Sequence, residues 1–224
     1  MSPEDILTLF NTMVDDAPDV DEAFALMDAA YTMRNESRIW TFLLKLDSSI
    51  THSSSDTWQT QKTLPTDFEE PYRLNLGAGD NEYDGVPYEQ ILRWIGSANK
   101  YSIDYQGNTL RFTGPGSGQT AYLWYKYGPT SLIGLTDVQK AATGTIVWPK
   151  RFCSLLAFDM AAMHQGGIEA DEITRQQVPY LNDAHKRLFN AMVNWDNRRR
   201  MKMFDNSASP RRNERNTPAD VVDW

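Results

Sequence analysis

The side chains that could do chemistry in this chain are few and scattered. The three histidines, His52, His164 and His185, stand far apart, so no pair has the short spacing of a metal site. Cys153 is the only cysteine. It lies in an apolar run and reads as a buried, inert thiol, and one cysteine allows no intrachain disulfide. Asp15–Asp16 and Glu69–Glu70 are adjacent carboxylates at a helix end and a turn. Such neighbours rarely converge on one substrate, so they read as solvated charge. Asp80-Asn81-Glu82-Tyr83-Asp84-Gly85 matches the first half of a calcium loop. The position that needs a bidentate Glu is Ile91, so a solvated loop is expected there. Gly114-Pro115-Gly116-Ser117-Gly118 lacks the Gly-Lys-Ser/Thr ending of a phosphate loop and joins two strands, so it reads as a turn. No Gly-x-Ser-x-Gly elbow is present. The expectation is no enzyme, no cofactor and no metal. A cell-wall hydrolase working through a carboxylate pair is the enzymatic alternative.

Charge points to partners rather than to catalysis. The formal net charge is −8. Residues 196–224 carry a net of +2, which leaves −10 for the rest. An acidic body does not wrap DNA, but it suits a surface along which DNA slides. The cations cluster at Arg198, Arg199, Arg200, Arg211, Arg212 and Arg215. The alternative this raises is a nucleic-acid-binding module that combines the Arg-rich tail with an aromatic sheet. Six aromatics crowd that sheet, Tyr101, Tyr105, Tyr122, Trp124, Tyr125 and Tyr127, but few cations lie among them. Core and subunit-contact use is the favoured reading. No run is long and apolar enough for a membrane span, and the first residues are acidic, unlike a signal peptide.

The elements follow from periodicity. Ser2-Pro3-Glu4-Asp5 opens a helix with Ile6, Leu9, Phe10 and Met13 on one face. Asp19 or Asp21 caps a second, with Ala23, Phe24, Met27, Ala30 and Tyr31 inward. Ile39, Trp40, Phe42, Leu43, Leu46 and Ile50 extend the helical period, so the first fifty residues are expected to be helical. The period then shortens to two. Strands are expected at 58–65, 72–76, 101–105, 109–112 and 121–127, with a hairpin turn at Gln106-Gly107-Asn108 and a short helix at 86–94. Residues 130–146 read as a loop. Trp148-Pro149 opens an apolar helix carrying Phe152, Leu155, Leu156, Ala157, Met160 and Met163, stopped by Gly166-Gly167. A long helix with a narrow apolar stripe runs from Asp171 to about 203.

The resulting expectation is an α+β fold: N-terminal helices, a small antiparallel β-sheet, and a long C-terminal helical hairpin with an extended C-terminal arm. Residues 1–57 and 147–203 form the helical body, 58–146 a β-rich insertion, and 204–224 the arm. The arm is rich in Ser, Asn, Pro and Arg, with Phe204, Val221, Val222 and Trp224 as apolar points at its two ends.

In this order the motifs resemble those of the adaptor, or head-completion, proteins of short-tailed bacteriophages. The resemblance rests on Ile39-Trp40-Thr41-Phe42-Leu43, on Trp58 to Thr60 followed by Leu64-Pro65-Thr66-Asp67-Phe68, and on the hairpin about Gly107. It rests also on Leu123-Trp124-Tyr125-Lys126-Tyr127-Gly128-Pro129 and on the Trp148-Pro149 helix start, and spans about residues 20–205. It implies a structural virion protein: a dodecameric ring under the portal, joining head to tail and lining the channel for DNA ejection. The implied partners are the portal protein, neighbouring subunits and tail nozzle or fibre proteins, with DNA passing unbound and no membrane contact. The implied place is the virion neck, after assembly in the host cytoplasm. Interface residues are then expected at Arg198, Arg199, Arg200, Phe204, Arg211, Arg212, Arg215, Val221, Val222 and Trp224.

Overall fold

A computed structural model describes residues 1–77, 82–97, 99–116, 118–167 and 172–204, with side chains of 165–182 left aside. Ser2 opens α1 (Pro3–Asn11) with a reciprocal capping box to Asp5. Asp19 caps α2 (Val20–Glu36). After the 3-10 turn Thr41–Leu43 come β1 (Leu44–His52), β2 (Gln59–Thr63), β3 (Phe68–Leu76) and β4 (Glu82–Gly85). A 3-10 segment, Tyr88–Trp94, leads to β5 (Lys100–Asp104), β6 (Thr109–Thr113) and β7 (Gln119–Tyr127). The chain closes with α3 (Asp137–Ala141), α4 (Ser154–Gly167) and α5 (Glu172–Phe204).

The seven strands form one sheet in the order β1-β7-β3-β4-β5-β6-β2. All neighbours are antiparallel except β4 and β5, which are parallel at Asp84↔Lys100 and Gly85↔Tyr101. The sheet curls, so that strands distant in its order share one interior. Ile50 of β1, Leu74 of β3, Leu110 and Phe112 of β6 and Leu123 of β7 belong to a single buried cluster. The alternation in β7 gives the reason: Ala121, Leu123 and Tyr125 face inward, and Tyr122 and Trp124 face out. A second cluster joins α1, α2, α4 and Met192 of α5, with Leu132, Leu135, Ile146 and Trp148 of the connecting segment. Tyr127, at the end of β7, packs against both clusters.

Five expectations are corrected. The fold is mixed α/β around a seven-stranded sheet, not a small antiparallel sheet beside a long helical hairpin. Nor does the C-terminal part stand as a hairpin. Leu155, Leu156 and Met160 of α4 are buried with α1 and α2, while the described side chains of α5 tie it to α2, the Thr41 turn and the sheet as well as to α4. Residues 44–52 are strand, not helix. The spacing of Leu43, Leu46 and Ile50 fits a helix, but the alternation of Leu44 and Leu46 with Lys45 and Asp47 fits a strand equally well. Pairing along β7 decides between them. A bulge between Asp47 and Ile50 keeps Ile50 inward. Finally, β3 starts at Phe68, inside the stretch read as a turn, and 137–141 of the expected loop is helical under a Thr136–Gln139 capping box.

Gly114, Pro115 and Gly116 follow β6, and one glycine there is sterically required. Gly116 donates to the Asp56 carbonyl at 3.1 Å, while Gly114 donates to that of Trp58 at 2.8 Å. A Cβ on Gly116 would overlap the Ser53 carbonyl oxygen. Gly116→Ala is therefore expected to cost about 2 kcal/mol or more, whereas Gly128→Ala, whose Cβ would meet only Glu69 at 3.7 Å, should stay within about 0.5 kcal/mol. Urea unfolding of the two variants checks the contrast.

His52 ends β1 fully buried, edge-on to Phe112 at 4.8 Å between ring centroids, with neither ring nitrogen hydrogen-bonded. Burial pushes its pKa below the ordinary value, against the pull of the nearby Asp56 carboxylate. The unfolded chain therefore binds this proton first as pH falls. Stability should be complete above about pH 6.5 and decline below it, toward the depressed folded pKa. His52→Phe should flatten that part of a stability–pH curve measured by urea unfolding.

Candidate partner-docking interface

The expected interface begins where α5 meets the body, and one carboxylate organises that junction. Asp196 is fully buried. Its Oδ1 accepts from the Thr41 backbone N–H at 2.7 Å and from the Thr41 hydroxyl at 2.6 Å. Its Oδ2 faces the guanidinium groups of Arg38 at 3.4 Å and Arg200 at 3.3 Å. Arg200 also donates to the Ile39 carbonyl and, at 3.4 Å, to the Tyr72 hydroxyl. Burial draws the Arg38 pKa below its usual value; Asp196 opposes this and Arg200 adds to it. Arg remains charged in any case.

One turn further on, α5 closes onto the outer face of the sheet. Phe204 packs on Tyr72 of β3 at 5.2 Å and on Trp124 of β7 at 5.4 Å between ring centroids. Of the expected interface residues, Arg200 and Phe204 are thus held within the molecule. Arg199 is exposed, with its guanidinium over the Trp195 ring at 5.5 Å. Arg198 is exposed to solvent. Arg211, Arg212, Arg215, Val221, Val222 and Trp224 lie outside the described residues.

A second network holds α5 nearer its middle. Asp159 of α4 accepts from Arg34 Nε at 2.7 Å and faces His185 Nε2 at 2.7 Å, and Arg34 lies over the Phe189 ring at 4.7 Å. This joins α2, α4 and α5. Arg34 Nη2 also stands 2.6 Å from His185 Nε2. The same imidazole nitrogen thus meets a carboxylate and a cation, and its two neighbours are already bonded to each other. That is a clasp, with the imidazole used up in it. The sequence carried a signal for it: Asp159 is the one charge in an otherwise apolar helical run. Its partners, far away in sequence, carried none.

Among the described residues the remaining motifs stand apart from one another. His164 Nε2 meets the Asp16 carbonyl at 2.7 Å, well away from His52. Cys153 is buried, and burial raises its thiol pKa, as an inert thiol requires. Among the described residues no group of His, Cys, Asp and Glu could hold a metal ion. Asp80 and Asn81 of the calcium-like stretch lie outside those residues, and Glu82–Gly85 is strand β4. Most of the crowded aromatics are taken up internally. Tyr101 and Tyr125 are core, Lys126 is buried beside Glu69, and Trp124 lies under Phe204. Tyr105 alone of the six is exposed. No helix among the described residues is long and apolar enough to cross a membrane. No protein-family model and no curated protein matches this chain.

Asp196→Ala removes a buried acceptor from Thr41 and leaves Arg38 and Arg200 facing each other. We expect a loss of about 2–4 kcal/mol, the range for breaking a buried charged network. Thermal unfolding should show it, while Asn194→Ala, on an exposed face of the same helix, should change little.

Proposed function

We propose that this chain is a structural subunit, an adaptor ring component that joins a bacteriophage head to its tail beneath the portal, and that it carries out no catalysis. One observation supports this reading more than any other. Asp196, Arg200 and Phe204 fasten the last turns of α5 to the body, so the end of α5, which 205–224 follow in sequence, is held in place. A segment with Arg and apolar residues, rooted in that way, gains effective concentration at a neighbouring surface. Its arginines contribute little at a rim and more where they are desolvated. Portal, adjacent subunits and tail proteins are the proposed partners, with DNA passing the acidic body unbound. The proposed location is the virion neck, after assembly in the host cytoplasm.

The nucleic-acid alternative loses its stacking platform, because the sheet aromatics are mostly buried or covered. The Arg-rich tail alone would give only weak, salt-sensitive binding. The hydrolase alternative has no converging carboxylates among the described residues: Glu69 pairs with Lys126 and Asp15 is exposed.

The test is a truncation. The cut falls after Phe204, whose ring is part of the body. Removing 205–224 should leave the melting temperature nearly unchanged and abolish co-sedimentation with a purified cognate portal. Equal sedimentation of full-length and truncated chains would move the docking role to α5 itself.

A further inference from the structure

The protein is electrically polarised along its helical body. Residues 1–33 contain acids and no Lys or Arg; the first cation is Arg34. Glu4, Asp15, Asp16, Asp21 and Glu22 are exposed, and none is in a salt bridge with a described residue. These acids lie on α1, on the α1–α2 connection and on the first turn of α2. His164, in the last turns of α4, meets the Asp16 carbonyl and so marks that end of the body.

The opposite end is cationic. From Ala184 to Phe204 the only acid is Asp196, which is buried and fully engaged. The exposed positions of α5 there include Lys186, Arg187, Arg198, Arg199 and Lys202, interleaved with Asn190 and Asn194. Arg187, Asn190, Asn194 and Arg198 recur at spacings of three and four, so they share one face. Lys186, Arg187, Arg198 and Lys202 form no salt bridge with a described residue. This face begins beside the C-terminal end of α2, where Arg34 meets Asp159 and His185. It runs from there toward the sheet.

The acidic first turn of α2 and its Arg34 end are separated by nearly the length of that helix. Seventeen residues span about 25 Å at 1.5 Å per residue. That distance exceeds the screening length of about 8 Å at physiological salt. The two charged faces therefore cannot neutralise one another within one molecule, whereas two molecules can bring them together. We propose that the cationic face of α5 docks, head to tail, on the acidic α1–α2 face of a second copy of this chain. The contact is heterologous, so it propagates around a ring or along a filament. This deepens the ring reading, on which its closure rests, by naming the two surfaces that adjacent subunits use. Exposed ion pairs are individually weak, so the association is salt-sensitive and is strengthened wherever a template holds copies side by side.

The experiment is charge reversal with complementation, on the full chain, read by sedimentation velocity. Wild type should associate with rising concentration at low ionic strength and dissociate at about 0.5 M salt. Arg198→Glu with Lys202→Glu, and separately Asp21→Lys with Glu22→Lys, should each weaken association about tenfold or more. Melting curves establish that both variants fold. An equimolar mixture of the two should associate again, because each variant offers the other a matching face. Folding defects cannot produce that rescue. The proposal is overturned if the mixture associates no better than either variant alone, or if wild type stays monomeric at every concentration in low salt. It is overturned too if reversing Arg198 and Lys202 leaves association intact while abolishing binding to a DNA duplex, which would assign the α5 face to a polyanion. Portal co-sedimentation of the single variants separates this outcome from a failure of the adaptor reading, since portal docking is assigned to 205–224.

Discussion

The carboxylate of Asp196 is the point on which the joining of helices to sheet depends. It sits on α5 but receives both the backbone N–H and the hydroxyl of Thr41, at the turn where the chain leaves α2 and enters β1. Two arginines supply the balancing charge from the side nearer solvent. Without that acceptor the Thr41 amide would be buried and unsatisfied, and the first residues of β1 would lose their fixed start. The placement of the rest follows. Trp40 and Leu43 turn into the helical core, Leu44 pairs across to Lys126, and the end of α5 arrives over β3 and β7. A buried acid facing Arg38 and Arg200 costs solvation. What it yields here is a definite angle between a long helix and a curled sheet.

That angle decides what the outside of the molecule can do. Arg200 and Phe204 are turned inward by it, and Arg198, Arg199 and Lys202 are left outward. Sequence reasoning grouped these as one Arg-rich patch. The structure divides them into cations that hold the fold and cations that remain available. The same division applies to the aromatics. Along β7, Tyr125 is core, Tyr127 packs against both clusters and Trp124 lies against Phe204 of α5, which leaves little platform for bases. The exposed cations thereby lie on the helix rather than among the sheet aromatics.

Much of this was legible in the sequence, for reasons that differ by element. The caps at Ser2 and Asp19 and the strands at 59–63, 100–104, 109–113 and 119–127 are local statements, made by side chains three or fewer positions apart. Residues 44–52 were not legible because their apolar spacing satisfies both periods, and only the partner strand settles the matter. The helix at 137–141 is five residues long and has no buried residue, so no apolar face announced it in the stretch read as a loop. The parallel β4–β5 pair was out of reach. Parallel neighbours demand a crossover, and here it is the compact 3-10 segment Tyr88–Trp94, which from sequence reads only as a short helix. The expected size of the sheet failed with it, because this pairing links the two halves into seven strands.

The candidate interface was legible in kind but not in detail. The compositional asymmetry between an acidic start and a cationic end is present in the bare sequence. What the sequence cannot express is that the two lie at opposite ends of one rigid helical body. Charge separated along a chain could as well fold back and cancel. Here α2 is a capped helix of 17 residues, and α4, packed against it, carries the clasp to α5. The helices therefore hold the charges apart, and a dipole of this kind is satisfied by a neighbour oriented the same way. α5 is pinned at His185, Asp196 and Phe204 by one face, which leaves the opposite face, with its cations and asparagines, without a complement among the described residues.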